Sequence, residues 1–428
     1  MGNSEPQPIS KTQAMTLKDP GVQGRIWICT VSSQVPPETS IRNALLAVIH
    51  TTKEDFVAAG EQCRIPDIIP IEAEWTGYRV AAERNSKPPS ISEEEKYDEM
   101  MKEVKSELTV LYFHGGAYYL CDPSTHRASC KRIAKLTKGR VYSVRYRLAP
   151  QHPFPSAVLD ALVSYFTLLY PPPGAHHEAV SAANIVISGD SAGGNLGLAL
   201  LQTLLELRRQ NTKITWFGEK REIPLPAGAA LNSPWLDMVQ SFPSWKSNLK
   251  WDYLPAPNLL ADKKTPADNI WPASPPRKHL YVDDAYLLHP LASLQMVKSW
   301  NGSPPIYVCT GWECLADEDK YLVSRLTKEG VTVVFEEYEA MPHVFAPILG
   351  HTPEAKRCFD GWTKFMSAVV ENPESLKSSY TRIKAKTCEE SEIDADTVSS
   401  LTDEQIMKLA YNMVGRRRNS IPEVPAKL

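Results

Sequence analysis

The chain has 428 residues, of which 43% are hydrophobic and 23% charged, enough to bury a large core and ordinary for a globular protein. Lys and Arg number 47 against 50 Asp and Glu, a net charge of -3 that gives no electrostatic basis for binding nucleic acid. No apolar run approaches a membrane span, no signal-peptide pattern opens the chain, and Pro6 stands where myristoylation requires Ser or Thr, so a cytoplasmic protein is expected.

Residues 1–36 are polar, with little periodicity. Thr39 or Ser40 can cap a helix carrying Ile41, Leu45, Leu46, Val48 and Ile49, and a second short helix is expected around Phe56 and Val57. The first strand is expected over 74–80, followed by a charged, solvated loop over 86–107. From residue 108 strands and helices alternate. Strands are expected over 108–113, 141–146, 184–188, 227–232, 305–310 and 331–338, with helices at 124–136, 156–170, 195–210, 315–329 and about 355–369. Such alternation predicts an α/β fold with a mostly parallel sheet covered on both faces.

Two stretches break the pattern. Residues 235–290 are rich in Pro and carry Trp235, Trp245, Trp251, Tyr253, Trp271 and Tyr281, which predicts a cap or lid insertion with an apolar wall. Beyond 371 the chain turns polar, and Thr402-Asp403-Glu404-Gln405 predicts one short capped helix in a C-terminal tail ending in Arg416-Arg417-Arg418. The expected division is therefore an N-terminal cap segment (1–70), a core in two parts (71–234 and 291–371) interrupted by the insertion (235–290), and the tail (372–428). The eight cysteines are scattered without a C-x-x-C pair, so they are expected to be reduced, with no metal site and no cofactor.

The chemistry gathers at Gly189-Asp190-Ser191-Ala192-Gly193-Gly194, between a strand and a helix. A serine hydroxyl is a poor nucleophile unless it is exposed beside a base and near donors for an oxyanion. A strand-turn-helix G-x-S-x-G meets the first need, and the Ala192 amide supplies one donor. His114-Gly115-Gly116-Ala117 follows another strand, and the amides of Gly115 and Gly116 complete a three-donor hole. Ten histidines compete as base; His343, in the loop after the last core strand, is the candidate, while His114 is expected to brace its own loop. Glu313 or Asp317 would orient the base, with Glu313 preferred because Asp317 opens a helix, where an acid serves the dipole.

These residues resemble the hormone-sensitive-lipase-like branch of the α/β-hydrolases through His114-Gly115-Gly116-Ala117, Tyr146-Arg147-Leu148-Ala149-Pro150, Gly189-Asp190-Ser191-Ala192-Gly193-Gly194 and Pro342-His343-Val344-Phe345. The resemblance spans roughly residues 70–370. It implies a serine esterase or lipase fold whose lid joins residues near 37–60 to those of 235–290. Its Asp-Pro-Leu-x-Asp-Glu acid run aligns with Glu313-Cys314-Leu315-Ala316-Asp317-Glu318, placing Glu at the acid, and Ala117 replaces a third glycine. Steryl-acetate deacetylases and secondary-metabolism esterases are similar. The expected substrate is a small hydrophobic ester, with an acetyl or short-chain acyl ester of a bulky alcohol the expected form. A non-catalytic receptor on the same fold, or an acyltransferase, is the alternative.

Overall fold

The structure, a computed structural model, describes residues 6–53, 63–256 and 265–419. In chain order its strands are β1 (Ile26–Ser32), β2 (Glu72–Tyr78), β3 (Thr109–Phe113), β4 (Arg140–Arg145), β5 (Ile185–Asp190), β6 (Ile214–Trp216), β7 (Glu219–Arg221), β8 (Gly228–Asn232), β9 (Ile306–Gly311), β10 (Val333–Tyr338), β11 (Ser379–Ile383) and β12 (Glu390–Glu392). All but β6 and β7, which form a separate hairpin, join one sheet in the order β1-β2-β4-β3-β5-β8-β9-β10-β11-β12. β2 runs antiparallel to both its neighbours, every pair from β4 to β11 is parallel, and β12 closes the sheet antiparallel. β3, β5, β8 and β9 are buried at every position, which explains their continuous rather than alternating apolar patterns.

The helices α1 (Ile9–Thr16), α2 (Ser40–Thr52), α3 (Glu93–Glu103), α4 (Pro123–Thr137), α5 (Ser156–Leu169) and α6 (Ala192–Arg209) precede three long ones at Ala316–Lys328, Pro353–Glu371 and Asp403–Asn419. One apolar layer gathers α2, α5, α6 and Ala316–Lys328; α4 and Pro353–Glu371 form the other, with the sheet contributing to both. α5 is buried along its whole length, with Asp160 and the hydroxyl residues Ser156, Ser164 and Thr167 the polar positions in an otherwise apolar helix. No described helix is long and apolar enough to cross a membrane.

Several expectations need correction. The polar first 36 residues hold α1 and the edge strand β1, paired with β2 along its full length from Ile26–Tyr78 to Ser32–Glu72. The charged loop contains α3, whose N-terminus carries a capping box between Ser92 and Glu95; only Tyr97 and Met100 are buried along it, so its hydrophobic signal is weak. The polar tail adds β11 and β12 to the main sheet before a helix of 17 residues. In the insertion, Trp235, Trp245 and Tyr281 are buried in the main core. The helix expected near Phe56 and Val57 lies outside the described residues.

Candidate active site

β5 delivers Asp190, and the chain turns sharply at Ser191, with φ 51° and ψ -120°, before α6 begins at Ala192. A non-glycine residue held at positive φ in such a turn is strained, and the neighbours must leave room. A Cβ on Gly189 would lie 2.5 Å from the Gly193 carbonyl oxygen, and one on Gly193 would overlap the Phe113 carbonyl and come within 2.6 Å of that of His114. The two glycines therefore let the start of α6 rest directly on the chain leaving β3. This close approach brings the His114-Gly115-Gly116 loop beside the elbow, with Gly115 against the Asp190 carboxylate.

The loop is braced from below. Tyr146, just after β4, donates its hydroxyl to the His114 carbonyl at 2.7 Å and stacks on the His114 ring at 4.3 Å between centroids. Nδ1 of His114 lies 2.7 Å from the Gly115 carbonyl, and burial pushes this imidazole down to about 4, leaving it neutral, a brace as expected. Asp190 accepts the Tyr112 hydroxyl at 2.6 Å and lies 3.4 Å from His126 Nε2. Among the described residues the amides of Gly115, Gly116 and Ala192 have no backbone acceptor. They are free donors at a helix N-terminus and an adjoining loop.

His343 comes from the loop after β10 and is nearly fully buried. Its Nε2 lies 2.8 Å from Ser191 Oγ, a full hydrogen bond. Its Nδ1 lies 3.5 Å from Glu313 Oε2, an ion-pair contact too long for a good hydrogen bond, and has no closer partner. Burial alone would lower the imidazolium pKa, but Glu313, Asp252 and Asp190 outweigh it and hold it above the ordinary histidine value.

Glu313 sits just past β9, fully buried. Its Oε2 accepts from Ser233 Oγ at 2.9 Å and its Oε1 from Thr310 Oγ1 at 3.1 Å. Asp317 lies in the first turn of the helix Ala316–Lys328 and takes the Ser244 amide on Oδ2 at 2.9 Å. The six candidate residues thus lie at the carboxyl ends of β3, β5, β9 and β10, where ligands bind in open α/β sheets. Sequence reasoning missed Ser233, which follows β8 and both donates to Glu313 and accepts the Val344 amide at 3.3 Å. No motif marks it, because its role depends on two loops meeting in space. No group of three or more His, Cys, Asp or Glu side chains among the described residues is placed to hold a metal ion.

Known proteins resemble this chain in sequence and fold. Residues 110–347 match the family described as alpha/beta hydrolase fold. An acetyl-hydrolase of Streptomyces hygroscopicus is 32% identical over 59% of this chain and 73% of its own length, and an esterase of Acinetobacter venetianus is 29% identical over 64% and 78%. Among solved structures, a hormone-sensitive lipase from a metagenome library superposes with a TM-score of 0.53 at 26% identity, covering 77% of this chain and 91% of that one. The esterase EstE5, crystals of which were soaked in p-nitrophenyl butyrate, gives 0.52 at 26% identity, covering 79% and 94%. With more than half of its length matched, the chain belongs to the α/β-hydrolase-fold family and, with esterases and lipases among its relatives and hormone-sensitive-lipase-family esterases among the structures it resembles, is a carboxylic ester hydrolase.

Proposed function

We propose that Ser191 is the nucleophile, His343 the general base and Glu313 the orienting acid, with the amides of Gly115, Gly116 and Ala192 as the oxyanion hole. The 2.8 Å contact between His343 Nε2 and Ser191 Oγ carries this assignment. Ser191 Oγ attacks the ester carbonyl carbon while Nε2 takes its proton, and the three amides receive the negative oxygen. The intermediate collapses, the alkoxide leaves with the proton held on Nε2, and an acyl-serine remains. Water, deprotonated by His343, attacks the acyl carbon and releases the carboxylic acid and free Ser191.

The substrate is a small hydrophobic ester, an acetyl or short-chain acyl ester of a bulky alcohol. Support comes from the acetyl-hydrolase among its relatives and from Tyr253, whose ring centroid lies 6.1 Å from that of His343. The described parts of 235–290, with α1 laid over the loop after Ala117 by a Gln13 Nε2 bond of 2.9 Å to the Tyr119 carbonyl, act as its cap. Eight free cysteines fit a reducing cytoplasm. The test is turnover of p-nitrophenyl acetate, butyrate and octanoate. Ser191→Ala should lower kcat roughly 10⁴- to 10⁶-fold and abolish labelling by a fluorophosphonate. Undiminished turnover in that variant would overturn the assignment.

A further inference from the structure

Residues 244–254 have little regular structure beyond a single turn at Ser244–Ser247 and a 3-10 turn at Leu249–Trp251, yet their polar groups converge on the acid and base loops. Ser244 Oγ donates to the Cys314 carbonyl at 2.7 Å, and Asn248 Nδ2 to the Glu313 carbonyl at 3.0 Å. Both touch the acid loop alone. Asp252 reaches both loops: its Oδ2 accepts the Cys314 amide at 2.7 Å, and its Oδ1 accepts the His343 amide at 3.3 Å. The Tyr253 amide, 2.7 Å from the same Oδ1, fixes the side-chain direction.

We propose that Asp252 is a positioning residue, a carboxylate clip that sets the Glu313 loop against the His343 loop and stabilises the imidazolium formed during ester cleavage. The role rests on the triad assignment. The separation between His343 Nδ1 and Glu313 Oε2 depends on where two loops lie relative to each other. A group bound to the residue after the acid and to the base itself controls that separation directly. Only a carboxylate fits, because two acceptor oxygens face amides on different loops; an amide side chain would turn one of them into a donor facing a donor. The groups facing the His343 ring are Glu313 from the loop after β9, Asp190 and Ser191 from the elbow, and Asp252 and Tyr253 from the insertion. Asp252 is the second of the three carboxylates in its effect on the imidazolium, after Glu313.

The experiment measures kcat and KM for p-nitrophenyl butyrate across pH in the full chain, with active sites counted by fluorophosphonate titration. Asp252→Asn should lower kcat roughly 10- to 100-fold per active site, with KM within about threefold, because a misplaced catalytic group costs rate more than binding. Its acid limb should move to lower pH, since one of the charges that hold up the imidazolium is gone. Asp252→Glu, which keeps the charge, should leave that limb near its wild-type position. Ser244→Ala, which removes a neutral bond from the same acid loop, should not move the limb at all. A wild-type acid limb in Asp252→Asn, or a loss explained wholly by fewer titratable sites, would overturn the clip. Failure of the triad assignment is distinct: Ser191→Ala would then remain active, whatever Asp252→Asn does.

Discussion

At the scale of single residues, the acid position departs most from the family pattern, because a glutamate stands where an aspartate is usual. The extra methylene does not free the side chain. Ser233 and Thr310 each hold one carboxylate oxygen, which fixes the direction in which Oε2 meets His343. Glu313→Gln should therefore lower kcat roughly 10³- to 10⁴-fold, since a neutral amide no longer stabilises the imidazolium or enforces the useful tautomer. The pH profile should respond with a definite sign. In the proposed mechanism neutral His343 is the working form, and its pKa is held above the ordinary value, so activity should rise with pH through that raised pKa. Removing the Glu313 charge lets the imidazole lose its proton more easily, and the acid limb should shift to lower pH. Asp317→Asn should change kcat less than about threefold, because its carboxylate serves the Ser244 amide. Comparing the two variants over pH 5–9 checks both points. Of the proposed site, Ser191 and His343 were legible in the sequence because each sits in a local motif with a fixed strand context. Ser233 and Asp252 were not, because each acts through backbone amides brought together only by folding.

Among the elements, those whose apolar pattern is dense were legible, and those held by other means were not. The run from β3 to α6 reads directly because its strands are buried at every position and α5 is dense in large apolar residues, its buried Asp160 being paired with Arg147. α3 escaped because its outer face is charged and only Tyr97 and Met100 are buried along it, the rest of its anchoring being polar: the Glu93 carboxylate accepts the Thr30 amide of β1 at 2.6 Å, and Arg140 of β4 donates to the Tyr97 hydroxyl at 2.8 Å. Its capping box was the signal available. α4 shows the same dependence on polar anchoring. Its Arg127 makes a two-bond contact with the buried Glu74 of β2, at 2.8 and 2.5 Å, and another with Asp19 of the N-terminal segment, at 2.6 and 3.0 Å. Glu74 is only 1% exposed, so an unpaired carboxylate there has no water to turn to. Arg127→Met should cost about 3 kcal/mol in urea unfolding, because it leaves that buried charge only the more distant Arg145 guanidinium, 3.9 Å from Glu74 Oε1. The double substitution Arg127→Met with Glu74→Leu should recover most of the loss, since the penalty belongs to the unpaired charge rather than to the missing bond.

On the scale of the whole molecule, the sheet runs beyond the residues matched to the family on both sides. β1 and β2 extend it from the N-terminal side, and β11 and β12 cover the edge that β10 would otherwise expose. The sequence concealed this second extension because an edge strand needs few buried side chains: only Ile383 is buried along β11. What fastens the segment is spread out. Ile383, Val398 and Ile406 are buried, Tyr321 donates to Asp403 at 2.9 Å, and Arg382 meets the buried Glu337 at 2.9 Å. Burying three such aliphatic side chains is worth roughly 5–9 kcal/mol. Ending the chain at Asn372 removes that burial and leaves β10 with unpaired backbone groups, a template for intermolecular pairing. The truncated protein should therefore melt at a clearly lower temperature and scatter light on warming at concentrations where the full chain stays clear. No residue of the segment reaches Ser191, Glu313 or His343 by any hydrogen bond or ion pair among the described residues, so kcat per titrated site in the cold should stay within about threefold of the full chain. An unchanged melting temperature would mean that the added strands ride on the sheet without stabilising it.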